Sequence, residues 1–261
     1  MVRGSKFYML KTLDLALKVL MMFTKERPVW GGRELANELG LNHTNIYRIL
    51  ETLEKNRFIS KDKETKKYSL GYATWELGMI MYESLNVTKL IHPILERLKD
   101  KTGESIFLTI LDRDEAVTLD VVEPENKVKF SVYAGSRSPL YVGASYRTIL
   151  AYMPDEFIES VIERGLVKYT NTTMTDPDRL RAELEKIKEQ GWAQSQGEYT
   201  ADVIAMAVPL FEKGEILGSV TVSGPIYRMT DEKIQDFLPL LQETRDEVSD
   251  VIQRYQLKLK I

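Results

Sequence analysis

Five consecutive or near-consecutive side chains in the N-terminal third of the chain are of types that bind DNA. Asn45 and Arg48 can each make two hydrogen bonds to a base edge in the major groove, asparagine to adenine and arginine to guanine. Thr44 can bond either kind of base, and His43 and Tyr47 can bond bases or phosphates. We therefore predict that Thr44, Asn45 and Arg48 read bases. The alternative is that they are bystanders on an exposed polar face.

The elements that must position these side chains follow a helix-turn-helix pattern. A helix over 10–24 is followed by a short helix over 33–39, which ends at Gly40 as a C′ glycine predicts. A third helix is expected from about 43 to 55, with its polar face opposite a stripe of isoleucine and leucine. Arg33, at the start of the second helix, is a candidate phosphate contact.

The segment 58–70 has apolar ends and a charged middle, which predicts a β-hairpin, the wing of a winged helix. Its lysines would meet phosphates. The alternative is an ordinary hairpin with a solvated lysine turn. The candidate phosphate contacts of the wing are Lys61, Lys63, Lys66 and Lys67.

Charge is distributed unevenly along the chain. Residues 1–75 contain 14 Lys and Arg against 8 Asp and Glu, a net charge of +6, whereas the remainder has 22 against 31, a net charge of −9. The overall charge of −3 by itself would argue against a nucleic-acid partner. A basic head on an acidic body instead favours phosphate contacts by the N-terminal part alone.

Composition also excludes several classes of site. The chain has no cysteine and two histidines, so neither disulfides nor a metal cluster is expected, and no cofactor is predicted. No apolar run is long enough to span a membrane, and we expect a cytoplasmic protein. Phosphate-binding loops, dinucleotide fingerprints and hydrolase motifs are missing, so no catalytic residue is predicted. His92 is interpreted as structural, and Asp112, Asp114 and Asp120 as turn and surface residues.

The rest of the chain predicts an α+β domain with a mainly antiparallel sheet, because paired strands precede and follow a group of helices. A Met- and aromatic-rich helix over 72–85 comes first, where we expect an interface. The expected strands are 105–111, 116–122, 128–133, 203–211 and 216–223, and the expected helices are 87–102, 146–153, 155–164, 176–190 and 230–257.

One region of this domain has the chemistry of a small-molecule site. The small-residue loop 139–145 enters a helix at about Tyr146, and the amides at a helix start attract anions. Thr221 and Ser223 lie two apart on a strand, so their hydroxyls share one face. Together they predict a site for a small polar molecule, with an organic or sugar acid ranked before a neutral polyol. The alternative is ordinary capping by Ser145 beside a half-polar strand.

The order of these features resembles the IclR family of transcription regulators over nearly the whole chain. The motifs that carry the resemblance are Arg33 to Leu41, Asn45 to Leu53, Lys67 to Gly71, Leu98 to Glu104, Arg147 to Pro154, Thr170 to Thr175, Gly191-Trp192, Glu198-Tyr199, Ile204 to Pro209 and Val222 to Pro225.

The resemblance implies a winged helix-turn-helix domain over 1–71, a linker helix over 72–86 and a GAF-like effector domain with a curved sheet over 87–261. It implies a double-stranded DNA operator, a small-molecule effector, and assembly as a homodimer or a dimer of dimers. This sequence departs from the family at Tyr146-Arg147, where Gly-Lys is usual, at Asp202, where glycine is usual, and at Ala205, where cysteine is common. The implied effector-binding positions are Ala144, Ser145, Tyr146, Ser195, Asp202, Ala205, Thr221 and Ser223.

Three functions are compatible with these observations. The first is a DNA-binding regulator whose operator binding is modulated by an effector. The second is a regulator whose sensor domain serves only in assembly, which the changes at Tyr146 and Asp202 would allow. The third is an enzyme with a DNA-binding appendage, for which no catalytic group is found.

Overall fold

A computed structural model describes residues 10–126, 130 and 132–259, and the chain divides into two compact units between Ser84 and Leu85. The elements of the first unit are α1 (Lys11–Met21), α2 (Gly32–Glu38), α3 (His43–Lys55), β1 (Ile59–Lys61), β2 (Tyr68–Leu70) and α4 (Tyr72–Leu85).

The core of the first unit forms where the apolar stripes of α1, α2 and α3 meet the base of the β1–β2 hairpin. Val19, Leu35, Ile46, Leu50 and Ile59 are each at most 2% exposed. The two strands pair antiparallel, and a bridge between Trp30 and Tyr68 adds a third segment beside the hairpin. The predicted order of three helices and a hairpin is therefore confirmed.

The turn between α2 and α3 depends on two local features. Gly40 has φ of +62°, the left-handed conformation that favours glycine after a helix. Asn42 precedes α3, and its side-chain oxygen accepts a hydrogen bond from the Asn45 amide at 2.8 Å. These two residues fix where α2 ends and where α3 begins.

The described residues of the second unit form a six-stranded sheet with antiparallel pairings and the strand order β5-β4-β3-β8-β7-β6. This confirms the predicted α+β class. Its elements are α5 (Val87–Leu90), α6 (His92–Thr102), β3 (Ser105–Asp112), β4 (Glu115–Val122), β5 (Arg137–Ser138), α7 (Ala144–Leu150), α8 (Asp155–Glu163), α9 (Pro177–Gln190), β6 (Ala193–Gln196), β7 (Val203–Glu212), β8 (Glu215–Pro225) and α10 (Asp231–Tyr255).

The two faces of the sheet have different partners. On one face, alternate residues such as Val220 and Val222 join a buried cluster with α6 and α10. On the other, Ala193, Ala207 and Ile216 pack with α7, α8 and α9. Because side chains alternate along a strand, Ser219, Thr221 and Ser223 lie opposite Val220 and Val222, as the sequence predicts.

Four sequence predictions need correction or lie outside the described residues. The helix expected over 87–102 is interrupted at Ile91, because Pro93 has no amide hydrogen to donate to the preceding turn. Strand β6 was not predicted, since AQSQ carries no apolar alternation. Of the strand expected over 128–133, residues 128, 129 and 131 lie outside the described chain, while 130, 132 and 133 are not in a strand.

Asp120 is the fourth correction, because it is buried rather than a surface residue. Its carboxylate lies 2.8 Å from the His92 imidazole Nδ1. The structural role predicted for His92 thus has a partner, supplied by a strand 28 residues further along the chain. Among the described helices, none is both long and apolar enough to cross a membrane.

Candidate DNA-reading surface and ligand cavity

The outer face of α3 presents the predicted base-reading side chains to solvent. Ile46, Ile49, Leu50 and Leu53 are buried, which leaves the opposite side of the helix exposed. The exposed residues on that side include His43, Thr44, Asn45, Tyr47 and Arg48. Arg33 is exposed at the start of α2.

Tyr47 also has a packing role that the sequence did not reveal. Its ring lies over the first turn of α2, so that a Cβ atom added to Gly32 would come within 2.9 Å of Tyr47 Cε1. A larger residue at position 32 would therefore displace the Tyr47 ring, which is the end of an exposed side chain. Tyr47 thus contacts α2 in addition to presenting a hydroxyl.

The tip of the wing is closed by Asp62, whose carboxylate accepts hydrogen bonds from the backbone amides of Glu64 and Thr65. These bonds lower the pKa of the Asp62 carboxyl, the Thr65 amide contributing most. Lys63, Lys66 and Lys67 are exposed beyond this turn.

Lys61 differs from the other wing lysines. It is half-buried, with its ammonium 5.2 Å from the centre of the Tyr68 ring. A hydrogen bond to the Tyr68 hydroxyl raises the pKa of Lys61. Because Lys61 is less exposed, it is less available to a phosphate than Lys63, Lys66 or Lys67.

A cavity lies between α7 and the sheet of the second unit, in a region with about 530 Å³ of non-atom space that includes open solvent. Its walls come from β3, β4, β7 and β8, the start of α7, and the segment after β6. Seven of the eight predicted effector positions line it. The lining residues are Phe107, Thr109, Thr118, Phe130, Val132, Val142, Gly143, Ala144, Ser145, Tyr146, Ser195, Glu198, Tyr199, Thr200, Val203, Ala205, Thr221 and Ser223.

Hydroxyl groups link the strand and helix walls of the cavity. Thr221 Oγ1 donates to Ser145 Oγ at 2.8 Å, and Ser219 Oγ donates to the Ser145 carbonyl at 2.8 Å. Ser223 Oγ donates to the Ile204 carbonyl at 3.0 Å. Ser145 is thus tied to β8 rather than acting as a helix cap.

The start of α7 is occupied by protein oxygens. The Ala144 amide donates to Ser195 Oγ at 2.9 Å, and the Gly143 amide lies 3.4 Å from Glu198 Oε2. The helix itself has only seven residues. The basis for the anion site predicted here is therefore weaker than the sequence indicated.

Arg147, the second departure from the usual Gly-Lys pair, is buried with its side chain 1% exposed. Its guanidinium donates to both oxygens of Glu198, at 2.5 and 2.9 Å, and to the Gln194 carbonyl at 3.0 Å. Bidentate pairing of this kind holds a carboxylate in a defined orientation. It joins α7 to the segment after β6, and Glu198 was not among the predicted site residues.

Tyr146 forms part of the cavity wall. Burial raises the pKa of its phenol above the ordinary value, and hydrogen bonds with Ser138 and Thr118 partly offset that rise. The phenol is therefore protonated at neutral pH, and its hydroxyl is directed to β4 and β5. The cavity is therefore present although tyrosine replaces the glycine that is usual in the family at position 146.

Ala205 lines this cavity, whereas Asp202 is not among its lining residues. Asp202 is exposed in a left-handed turn with φ of +60°, and its backbone carbonyl accepts from the Ile226 amide. It lines a neighbouring pocket that shares Phe130, Thr200 and Val203 with the cavity. Its role as an effector contact stays a prediction.

Several lining residues were missed because they come from strands that pair only in the folded chain. Phe107 is opposite Thr221 in the β3–β8 register, and Thr109 is opposite Ser219. Period-two alternation in β3 was visible in the sequence. The register that brings these residues beside β8 was not.

Comparison with known proteins identifies both units. A family model described as the IclR helix-turn-helix domain matches residues 12–63, and one described as the bacterial transcriptional regulator IclR C-terminal domain matches residues 79–250. The chain belongs to the IclR family. It is therefore a DNA-binding transcriptional regulator, as the resemblance implied.

Three IclR relatives illustrate the similarity. The transcriptional repressor IclR of Escherichia coli K12 is 26% identical over 243 residues, covering 92% of this chain and 89% of the repressor. A regulator structure from Silicibacter sp. TM1040 has 27% identity and a TM-score of 0.83, covering 92% of this chain and 96% of that one.

The third is an IclR homologue from Microbacterium hydrocarbonoxydans, solved in complex with 4-hydroxybenzoate. It has 20% identity and a TM-score of 0.80, covering 93% of this chain and 99% of that one. This similarity supports the fold.

Proposed function

We propose that this IclR-family protein binds an operator through α3 and the wing, and that a small molecule in the cavity beside α7 changes that binding. The observation that carries the effector proposal is the cavity itself, which is bounded by hydroxyl groups of Ser145, Ser195, Thr221 and Ser223. Concave sites with apolar walls and a few polar groups are the usual form of small-molecule sites. The ligand-bound IclR homologue gives a precedent for an effector.

For the DNA contacts, Thr44, Asn45 and Arg48 would read bases, and His43 and Tyr47 would bond bases or phosphates. Their exposure on one side of α3 fits the insertion of a helix into the major groove. Arg33 and the wing lysines Lys63, Lys66 and Lys67 would contact phosphates, with a smaller contribution from Lys61. Phosphate contacts of this kind make operator affinity fall with added salt.

For the assembly, we propose that a second copy of the chain covers α4. Tyr72 is 79%, Trp75 64% and Ile80 66% exposed on this helix. Exposed apolar residues in this density mark an interaction surface. Because one small head reads only a short site, a homodimer, or a dimer of dimers, would bind an inverted repeat.

The test of this function combines a thermal-shift screen with an operator titration. A compound that binds only the folded chain raises its melting temperature. Each compound that does so is then added to full-length protein and a promoter fragment. We expect at least one to change the operator affinity, and operator DNA to change the affinity for that compound by the same factor.

The double variant Thr221→Val, Ser223→Ala locates the site. It should bind the operator as the unsubstituted protein does, because both substitutions lie in the second unit, and it should lose the response to the compound. A response that persists in the double variant would place the effector elsewhere. A compound that stabilises the protein without changing operator affinity would favour a sensor domain that serves only in assembly.

A further inference from the structure

We propose that the effector is a neutral ring compound with hydroxyl or carbonyl groups at one end, rather than an organic acid. This inference rests on the proposed function of the cavity as the effector site. It reverses the ranking drawn from the sequence, in which an organic or sugar acid came first. Four features of the cavity lead to it.

The first feature is charge. Among the described residues that line the cavity, the charged side chain is Glu198, an anion. Its charge is balanced by Arg147, which is buried and already donates two hydrogen bonds to it. A carboxylate entering the cavity would meet a second carboxylate, whereas Arg147 is not among the lining residues and already donates to Glu198. Burying a charge without its own partner is unfavourable, so this lining disfavours an anion.

The second feature is the start of α7, where the sequence predicted an anion site. The Ala144 amide is bonded to Ser195 Oγ, and the Gly143 amide approaches Glu198 Oε2. An anion would have to displace a serine hydroxyl and a carboxylate to reach them. A short helix with these amides already engaged offers an anion little stabilisation.

The third feature is the supply of neutral hydrogen-bond donors. Ser145 Oγ accepts from Thr221, and Ser195 Oγ accepts from the Ala144 amide. Within the described part of the chain, neither serine hydroxyl donates its own proton to a protein oxygen. Each hydroxyl has one donor and two acceptor positions. Both serines can therefore donate to a carbonyl or hydroxyl oxygen of a ligand.

The fourth feature is the apolar part of the wall. Phe107 and Phe130 meet edge to face with ring centres 5.8 Å apart. Val142, Val203 and Ala205 also line the cavity. Aromatic side chains favour a flat partner with edge or offset-stacked contact. The hydroxyl groups and this apolar wall together match a ring with polar groups at one end.

The experiment compares matched pairs that differ in charge. Isothermal titration of the full-length protein at pH 7.5 uses 4-hydroxybenzamide against 4-hydroxybenzoate, and 2-phenylethanol against phenylacetate, with gluconate as a sugar acid. We expect each neutral compound to bind at least tenfold more tightly than its acid. Binding of the neutral compounds should be lost in the Thr221→Val, Ser223→Ala variant, because Ser145 no longer has the Thr221 hydroxyl that holds it in place.

Tighter binding of the acids or of gluconate, lost in the same double variant, would overturn the neutral class while the cavity remained the effector site. Binding that persists in the double variant would overturn both proposals. If gluconate were the one tested compound that bound the unsubstituted protein, both the proposed ring and the proposed neutral charge of the effector would be wrong.

A single substitution tests the part played by Glu198. Glu198→Gln leaves the positive charge of Arg147 uncompensated beside the cavity, so the preference for the neutral member should fall at least tenfold. Glu189→Gln, on the exposed face of α9, removes the same charge from a residue that does not line the cavity and should keep the unsubstituted preference. Melting temperatures report whether each variant is folded. If folded Glu198→Gln keeps the preference for the neutral compound of each pair, the charge argument is wrong. If that variant does not fold, the titrations of the matched pairs with the unsubstituted protein decide between a neutral and an acidic effector.

Discussion

At the scale of single residues, the side chains on the outer face of α3 have different surroundings. Arg48 is exposed, and the described bonds at this residue involve its backbone. Tyr47, one position earlier, lies over Gly32 at the start of α2. Arg48 is therefore the more direct test of base reading, because its side chain has no described hydrogen bond or ion pair within the first unit.

Arg48→Ala is expected to reduce the discrimination between operator and random DNA by about 1–3 kcal/mol, the value of a bidentate contact to guanine. Lys66→Ala is the matched control and should weaken binding to both DNAs nearly equally, because a phosphate contact carries no sequence information. Fluorescence anisotropy with both fragments measures this. Equal weakening of both DNAs by Arg48→Ala would make Arg48 a phosphate contact.

The Tyr146 phenol gives a prediction about pH. Burial raises its pKa in the folded state above the ordinary value near 10. The folded chain therefore binds this proton more tightly than the unfolded chain, and the resulting stabilisation is complete below about pH 10 and lost as the pH rises through the raised pKa. Unfolding free energies from urea titrations between pH 8 and 11 should fall more steeply for the unsubstituted protein than for Tyr146→Phe. Parallel curves would show that the phenol does not contribute.

At the scale of elements, two polar interactions position the helices that carry the candidate functional residues. One is the Asn42 cap at the start of α3. The other is the Arg147–Glu198 pair, which holds the start of α7 against the segment that follows β6. Each acts on the element that carries the candidate functional residues, so each has a measurable effect on stability.

Asn42→Ala should lower the free energy of unfolding by about 1 kcal/mol, because the Asn45 amide loses its acceptor. Asn37→Ala is the control, since Asn37 is exposed within α2, where alanine has the higher helix propensity. Chemical denaturation should show a loss for the first variant and no loss for the second. Equal effects would mean that the cap does not stabilise α3.

Arg147→Met should lower the free energy of unfolding by about 3–5 kcal/mol, because the buried Glu198 carboxylate loses its partner. Adding Glu198→Gln removes the unpaired charge, so the double variant should recover much of the loss. The coupling energy from the two single variants and the double variant is the measured quantity. Additive effects would show that the two side chains do not interact.

At the scale of the whole molecule, the uneven charge and the exposed face of α4 support the proposal that the protein binds DNA as an assembly. The basic segment carries the candidate phosphate contacts, and the acidic remainder contains the cavity. The apolar residues Tyr72, Trp75 and Ile80 are exposed on α4.

Light scattering at micromolar concentration should therefore give at least a dimeric mass for the full-length protein. The double variant Trp75→Glu, Ile80→Lys should have a lower mass, because charged side chains in an apolar interface are costly to desolvate. Thermal unfolding controls for loss of fold. A monomeric mass for the unsubstituted protein, with and without operator DNA, would contradict the assembly.

The sequence alone determined the features that depend on local chemistry. Helical periodicity, Gly40 and the lysine-rich hairpin predicted the helix-turn-helix and wing, and alternation predicted most of the sheet. These signals are local because a helix or strand buries one face through residues a few positions apart. The loop at 139–145 and the hydroxyls of Thr221 and Ser223 were visible for the same reason.

Tertiary structure alone decided which distant residues meet and which charges remain available. Strand β6, with no apolar alternation, could be assigned only through its pairing with β7. The partners Arg147 and Glu198 lie 51 positions apart, and the buried Asp120 is paired with His92, 28 positions away. Asp202, an effector position by resemblance, lies in the lining of a neighbouring pocket, a placement that the sequence did not show. The pKa of a charged group and the hydrogen-bonding capacity of a hydroxyl depend on burial and on neighbouring partners. Both burial and partners are set by the folded chain.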